Sequence, residues 1–328
     1  MYTKQNDLKE RGIIMNKPTC IMMCGLPASG KSTKAKELAV RYDANIHSSD
    51  DIRIELAKNV NNQKVNDLVF QTLHERMKND LKNGKSCIYD ATNTSYKQRM
   101  MFLQELKNIP CKKVCVLIAT PYEECLKNNS QRKRKVPEDV IKKMYYKFNI
   151  PDLYEGWDEI IVSYFDEDMA NYYGYPMGEL FKTINYEQKN KHHNLTLGQH
   201  TIDTLFNLPF YFRGSDKLDY YDMMVTAAML HDCGKPFSQV FENSKDESTD
   251  EANYYNHQYI SAYQSLFYKA SERANTVIDT AIRIMWHMQP YCWENENNVN
   301  QRDKYKNLWG ESLYNDIMIL HKADKDAY

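Results

Sequence analysis

Two sets of residues have types and spacings suited to phosphate chemistry. The first is Gly25-Leu-Pro-Ala-Ser-Gly-Lys-Ser32, which fits G-x-x-x-x-G-K-[ST]. In that pattern backbone N–H groups and a helix N-terminus face an anion. The lysine reaches the β/γ-phosphates and the hydroxyl ligates Mg²⁺. Gly25, Ser29, Gly30, Lys31, Ser32 and Thr33 are therefore expected to bind ATP and Mg²⁺. The second set is dispersed. Of nine histidines, all but His47 and His74 lie after residue 190. They include His192, His193, His200, a His231-Asp232 pair ahead of Gly234-Lys235, His257, His287, and His321 just before Asp324. Imidazoles and carboxylates converging from separate helices build a metal site in a bundle core. Mixed N/O ligands suit Mn²⁺, Fe²⁺, Co²⁺, Ni²⁺ or Zn²⁺. Such an ion supplies an activated water, and phosphoester hydrolysis is the natural reaction. A lone histidine on an apolar helix face is more often packing than ligation; several at these positions favour metal.

The elements that must position these residues are legible in the hydropathy pattern. Cys20–Cys24 is an apolar run ahead of the glycine loop, and a helix follows with Ala35, Leu38, Ala39 and Tyr42 on its inner face. Residues 44–47 read as a second strand, ending near Asp50 and Arg53. These two share a helix face, and the acid is placed to take a proton from an attacking hydroxyl. In isolation they would read as an N-cap carboxylate and a surface arginine. A helix over 63–83 carries Val65, Leu68, Val69, Leu73 and Met77 as a stripe. Residues 86–90 form a strand ending in Asp90, which can hold Mg²⁺ through water or line an acceptor pocket. A helix over 95–107 follows. Val114–Ala119 is the clearest buried parallel strand. The helix from Pro121 runs into Arg132-Lys133-Arg134-Lys135, a basic run that is often just a solvated face. Beside a P-loop, such a segment can close over the phosphates and stabilise the transferring group. Residues 160–163 are the last strand. Alternation of strand and helix predicts an α/β domain with a parallel sheet flanked by helices. The region after 190 reads as all-helical, with Val225, Ala228 and Met229 burying the helix that delivers His231.

Composition sets the frame. The chain has 328 residues, is 42% hydrophobic and 27% charged, and carries a net charge of −1. Two globular domains are expected, and no global basic field marks a nucleic-acid binder. No apolar run approaches a membrane span. The eight cysteines form no C-x-x-C pair, and Cys20, Cys24, Cys87 and Cys115 sit in strands, which favours a reducing cytoplasm. Residues 1–16 read as an N-terminal extension, with translation expected to begin at Met15. Residues 166–190 read as a linker. Asp166-Glu-Asp168 within it imitates a D-x-D-x-T phosphatase motif, but Ala170 stands where the threonine belongs.

GLPASGKST, SSDDIR, YDATNTSYKQR and NNSQRKRKVPEDVIKKMY together resemble the motifs of the phage-type 5′-hydroxyl polynucleotide kinase family, over residues 17–165. The resemblance implies Asp50 as general base, Arg53 as the grip on the acceptor's 3′-phosphate, Asp90 as the acid lining the acceptor side and Arg132 as the lid arginine. The lid is about a residue shorter than the family pattern and adds Arg134, which competes for that role. Residues 191–328 resemble the HD superfamily of metal phosphohydrolases through H…HD…D. That implies His200, His231, Asp232 and Asp324 as ligands, with His257 and His287 for a second metal. It also implies His193 and Lys235 as phosphate contacts. The expected architecture is an α/β P-loop kinase domain followed by an all-α HD-type helical domain.

Joining the two halves suggests an enzyme that heals nucleic-acid ends, RNA more than DNA. It would phosphorylate 5′-hydroxyls with ATP, remove 3′- or 2′,3′-cyclic phosphates and hand the strand to a separate RNA ligase. The setting would be cytoplasmic, the host's if phage-encoded. A bacterial enzyme class joins the same two modules in the opposite order. Alternatives are a nucleoside or small-molecule kinase fused to a nucleotidase, and an ATP-binding regulator that hydrolyses an alarmone.

Overall fold

The computed structural model describes residues 17–58, 65–164, 182–190, 194–212, 218–268, 274–293 and 299–327. The N-terminal extension with Met15, Asp166 and Asp168, and His192 and His193 lie outside the described residues. The first half is a five-stranded sheet of order β2-β3-β1-β4-β5, all parallel. Its strands are β1 (Thr19–Cys24), β2 (Ala44–Ser48), β3 (Ser86–Asp90), β4 (Lys112–Ala119) and β5 (Glu159–Tyr164). The helices are α1 (Lys31–Tyr42), α2 (Ser49–Ala57), α3 (Asn66–Lys82), α4 (Tyr96–Glu105), α5 (Tyr122–Gln131) and α6 (Glu138–Tyr145).

Strand periodicity sorts the core into two layers. Ile21, Met23, Ile88, Val114, Val116 and Ile118 pack on Ala35 and Leu38 of α1. Their sequence neighbours Cys20, Met22, Cys24, Cys87, Tyr89, Cys115 and Leu117 face the other way, onto Val69, Leu73 and Met77 of α3 and Phe102 of α4. Burial on both faces explains why β1 and β4 are continuous apolar runs. Leu68 leaves the expected α3 stripe: it is half exposed, and Leu81 takes its place in the core.

The second half contains α7 (Leu197–Tyr211), α8 (Leu218–Leu230), a short α9 (Lys235–Ser238), α10 (His257–Ser265), α11 (Ala274–Trp286) and α12 (Val299–Lys325). α7 starts at a capping box of Thr196 and Gln199, and α12 breaks direction at Gly310, where φ is 76°. Helix α8 buries Met223, Met224, Ala227 and Ala228, whereas Val225 and Met229 lie at the edge of the core.

Two expectations are corrected. The half is not all-α: β6 (Gln239–Glu242) and β7 (Ser248–Tyr254) form an antiparallel hairpin. Both strands are largely polar and carry no strong period-2 signal. The turn is held by Asn243, whose Oδ1 accepts from the Lys245 and Glu247 N–H groups. The linker is also shorter than expected at its C-terminal end. Leu197 N donates to Tyr186 O at 2.9 Å, and Ala252 N donates to Lys189 O at 2.9 Å. Residues 186–190 therefore belong to the helical half. One apolar cluster runs from the sheet into this half, from Cys24 and Phe148 to Tyr263, Met285 and Trp309.

Candidate active sites

The turn after β1 forms the loop that the motif predicts. A Cβ at Gly25 would lie 2.8 Å from Ser29 Oγ and 3.2 Å from Ile118 O, so only glycine lets the loop fold this tightly. Gly30 then caps α1 with φ 94°. Lys31 is buried, and its Nζ donates to Leu26 O at 2.6 Å. Burial pulls the Lys31 ammonium below its ordinary value; Asp90 opposes this, and Arg132 adds to it through like charge. Asp90 closes β3 beside Ser48 of β2. Burial raises its carboxyl, against a hydrogen bond from Ser32 and the charge of Lys31. Ser32 and Asp90 thus form one polar edge of the loop, where a hydroxyl and a carboxylate can share a hydrated Mg²⁺.

Asp50 sits in the first turn of α2. Its Oδ1 accepts from Arg53 at 2.9 Å, and its Oδ2 from Arg134 at 2.5 Å. Arg53 also donates to Asn66 Oδ1 at 2.9 Å, an α3 contact that carries no sequence signature. The two arginines of the basic run therefore divide: Arg134 pairs with Asp50, while exposed Arg132 adds like charge near Lys31.

Sequence reasoning passed over Arg99. It is fully buried and forms a fork on Glu155, at 2.8 and 2.5 Å, with further bonds to Asn93 O and Asn149 O. Asn93 in turn donates to Met23 O at 2.8 Å. This cation ties the β3–α4 loop to the sheet beneath the P-loop. A lone arginine on the inner face of α4, within YDATNTSYKQR, was the available signal.

The histidines and aspartates of the second half converge. His200 comes from α7, His231 and Asp232 from the turn after α8, His257 from the start of α10, His287 from the end of α11 and Asp324 from α12. Asp232 stands at the centre. Its Oδ2 is 3.5 Å from His200 Nε2 and 3.4 Å from His231 Nε2; its Oδ1 is 3.1 Å from His257 Nε2 and 3.6 Å from His287 Nε2. Asp324 Oδ1 completes the first group, at 2.9 Å from His200 and 3.4 Å from His231. Each group's ligand atoms lie within 4.8 Å of one another.

The outer nitrogens fix the tautomers. Each Nδ1 faces a backbone carbonyl: Ala327 for His200, Ala228 for His231, Tyr254 for His257 and Ile284 for His287, all at 2.7–2.9 Å. An N–H donated there leaves Nε2 as a lone pair pointing inward, the state a metal takes. Burial opposes charge on His231, but Asp232 and Asp324 push it up to about 10, so the pocket's field draws in positive charge, proton or cation. His231 Nε2 is buried without a hydrogen-bond partner. These features fit one or two divalent ions: His200, His231, Asp232 and Asp324 could hold one, and Asp232, His257 and His287 another.

Lys235 is drawn inward rather than set at a surface. Its Nζ lies 2.7 Å from Asp232 Oδ2 and 2.8 Å from Gln188 Oε1. Burial would raise the Asp232 carboxyl, yet Lys235 and then His231 hold it well below the usual carboxylate range. The doublet's turn is pressed against α10: a Cβ at Gly234 would meet His257 O at 2.5 Å. Tyr291, which sequence reasoning also missed, donates to Asp324 Oδ2 at 3.0 Å.

Residues 20–151 match the family model described as an AAA domain. The chain is 30% identical over 142 residues to L-seryl-tRNA(Sec) kinase of Methanococcus maripaludis, across 42% of this chain and 55% of that protein. It is 20% identical over 190 residues to Protein kti12 of Schizosaccharomyces pombe, across 54% of this chain and 66% of that protein. The chain thus spans between about half and two thirds of the length of these curated relatives. Among solved structures, a gluconokinase from Sinorhizobium meliloti is similar with a TM-score of 0.35 and 11% identity, covering 45% of this chain and 83% of that one. The Pnkp1/Rnl/Hen1 RNA repair complex contains a chain similar with a TM-score of 0.33 and 24% identity, covering 39% and 43%. The first half has the α/β P-loop kinase fold, with a parallel sheet flanked by helices, and such a loop implies ATP and Mg²⁺. Among the described residues no helix is long and apolar enough to cross a membrane.

Proposed function

We propose that the chain is a bifunctional enzyme of nucleic-acid ends, which phosphorylates a 5′-hydroxyl with ATP and hydrolyses a 3′- or 2′,3′-cyclic phosphate. The reading rests on one juxtaposition: an acid between two arginines beside a P-loop, and an acid between two imidazole pairs, in one continuous core.

In the kinase half, Asp50 takes the proton of the acceptor hydroxyl. The hydroxyl oxygen bonds to the γ-phosphorus while the bond to the β–γ bridging oxygen breaks, and ADP leaves. Lys31 and Arg132 hold the charge that develops on the phosphoryl oxygens. For Asp50 to act, Arg134 must release it, so lid movement precedes transfer. Arg53, anchored by Asn66, offers a fixed cation to a neighbouring phosphate of the acceptor. That favours a strand end over a free nucleoside.

In the helical half, His200, His231, Asp232 and Asp324 would hold one divalent ion, and His257 and His287, with Asp232, a second. Such ions lower the pKa of water and polarise a phosphoryl oxygen. The protein's own part is to hold the imidazoles in one tautomer and to keep Asp232 ionised through Lys235.

The relative whose name includes an aminoacyl-tRNA favours a second reading, in which the accepting hydroxyl is carried on a tRNA without being its 5′ end. One assay separates these: labelled ATP with a 5′-hydroxyl RNA oligonucleotide, a seryl-tRNA and free nucleosides as competing acceptors. Label on the oligonucleotide supports the main reading, and label only on a competitor overturns it. Hydrolysis of an oligonucleotide ending in a 2′,3′-cyclic phosphate, with Mn²⁺ or Ni²⁺, tests the second half. Activity that survives His231→Ala would remove the cluster from the mechanism.

A further inference from the structure

Helix α10 touches both centres. Its first residue, His257, points Nε2 at Asp232 Oδ1. Tyr263 lies six residues on, about 9 Å along the axis. Tyr263 is 1% exposed. It packs against Tyr145 and Phe148 of the first half, with ring centroids 5.4 and 4.8 Å away. Its hydroxyl donates to the carbonyl of Thr120 at 2.8 Å. Thr120, fully buried just beyond β4, donates its own hydroxyl to the carbonyl of Ser29 at 2.8 Å. Ser29 is inside the P-loop.

A phosphate-binding loop is effective when its N–H groups are aimed before the anion arrives, because the ordering cost is then already met. Ser29 sits at the tightest point of the loop, where its Oγ would touch a Cβ at Gly25. The Thr120 hydroxyl holds that peptide from outside. The Thr120 peptide is held in turn by Tyr263 and, more weakly, by the Cys125 thiol at 3.7 Å.

We propose that Tyr263 is a positioning residue for the P-loop: the helical half completes the nucleotide site of the kinase half through Tyr263, Thr120 and Ser29. This rests on the P-loop reading alone and is independent of the acceptor and of the hydrolase.

Calorimetric titration of the full chain with Mg-ADP tests it. Tyr263→Phe keeps the ring and loses only the hydroxyl; affinity should fall about three- to tenfold. Thr120→Val should lose at least as much, and Thr120→Ser, which keeps the hydroxyl, should restore wild-type affinity. The double variant Tyr263→Phe/Thr120→Val should bind no more weakly than Thr120→Val alone, since the two bonds act in series. Leu313→Ala, a destabilised core variant with the relay intact, should bind as wild type. Wild-type affinity in Tyr263→Phe, additive losses in the double variant, or an equal loss in Leu313→Ala would each overturn the relay. Failure of the wild-type chain to bind Mg-ADP would overturn the P-loop reading itself, and the relay with it.

Discussion

The two candidate sites are built by opposite constructions. The P-loop half uses a short stretch of backbone, and its side-chain acid, Asp50, is 46% exposed and shared between buried Arg53 and the more exposed Arg134, which can move away. The helical half uses side chains from α7, α10, α11, α12 and the turn after α8, and its central acid, Asp232, is 3% exposed. An exposed pair exchanges partners at little cost, whereas a buried charge must keep its partners or destabilise the fold. The first construction suits a site that opens for a donor and an acceptor in turn. The second suits a fixed cage that holds cations.

The largest expected effect tests that contrast directly. Asp232→Ala strips the cage of its central oxygens and leaves Lys235 buried without its carboxylate. Stability should fall by about 3–5 kcal/mol in denaturant unfolding, and bound Mn²⁺ should be lost in metal analysis. Asp50→Ala leaves Arg53 its Asn66 partner and should cost less stability, about 1 kcal/mol, spare ADP binding and lower phosphate transfer about 10²- to 10⁴-fold. Equal stability losses would dissolve the distinction between a fixed and a mobile site. Loss of ADP binding in Asp50→Ala would move that residue from the acceptor to the donor.

The lid arginines give a smaller effect that sharpens the comparison. Arg132→Ala should lower kcat about 100-fold, as removal of a donor to the transferring phosphoryl does. Arg134→Ala breaks an exposed pair, with at most about 1 kcal/mol of stability at stake, and should lower kcat less. If Arg134→Ala is the more damaging, the roles are exchanged.

A pH-dependent effect, confined to stability, lies where the halves meet. Asp152, beside Tyr96, Met285, Trp286 and Trp309, lines a cavity of about 20 Å³. Burial raises its carboxyl from 3.8 to about 7, despite the Tyr154 N–H it accepts. An acid whose folded pKa is raised binds its proton more tightly when folded. Its contribution is therefore full below about pH 4, declines as pH rises to about 7 and is level above. Three pKa units correspond to at most about 4 kcal/mol. Asp152→Asn should flatten the unfolding midpoint between pH 4 and 7 and raise it most at pH 8. An unchanged pH profile would mean that the carboxyl is ionised in the folded protein and that this seam carries no titrating group.

The loop Gly25–Ser32, the helix start that carries Asp50, the strand end at Asp90 and the alternation of parallel strands with helices were all legible in the sequence. Each depends on contacts close in the chain or on a period of two along a strand. The histidines and aspartates of the helical half could be named singly from residue type. That Asp232 gives one oxygen to each imidazole pair could not, because its imidazole partners lie up to 55 positions away in the chain, at His287. The β6–β7 hairpin was missed because its stability comes from turn bonds at Asn243 and not from apolar alternation. The attachment of residues 186–190 was missed because it runs through backbone groups that every residue has. Which arginine of the basic run meets Asp50 was not legible, because Arg132 and Arg134 stand two residues apart and only packing brings Arg134 to that carboxylate. Local backbone chemistry determined the nucleotide loop. Only long-range packing, which sets His257 of α10 at the histidine cluster and Tyr263 of the same helix against the sheet domain, decided that the two centres share one core.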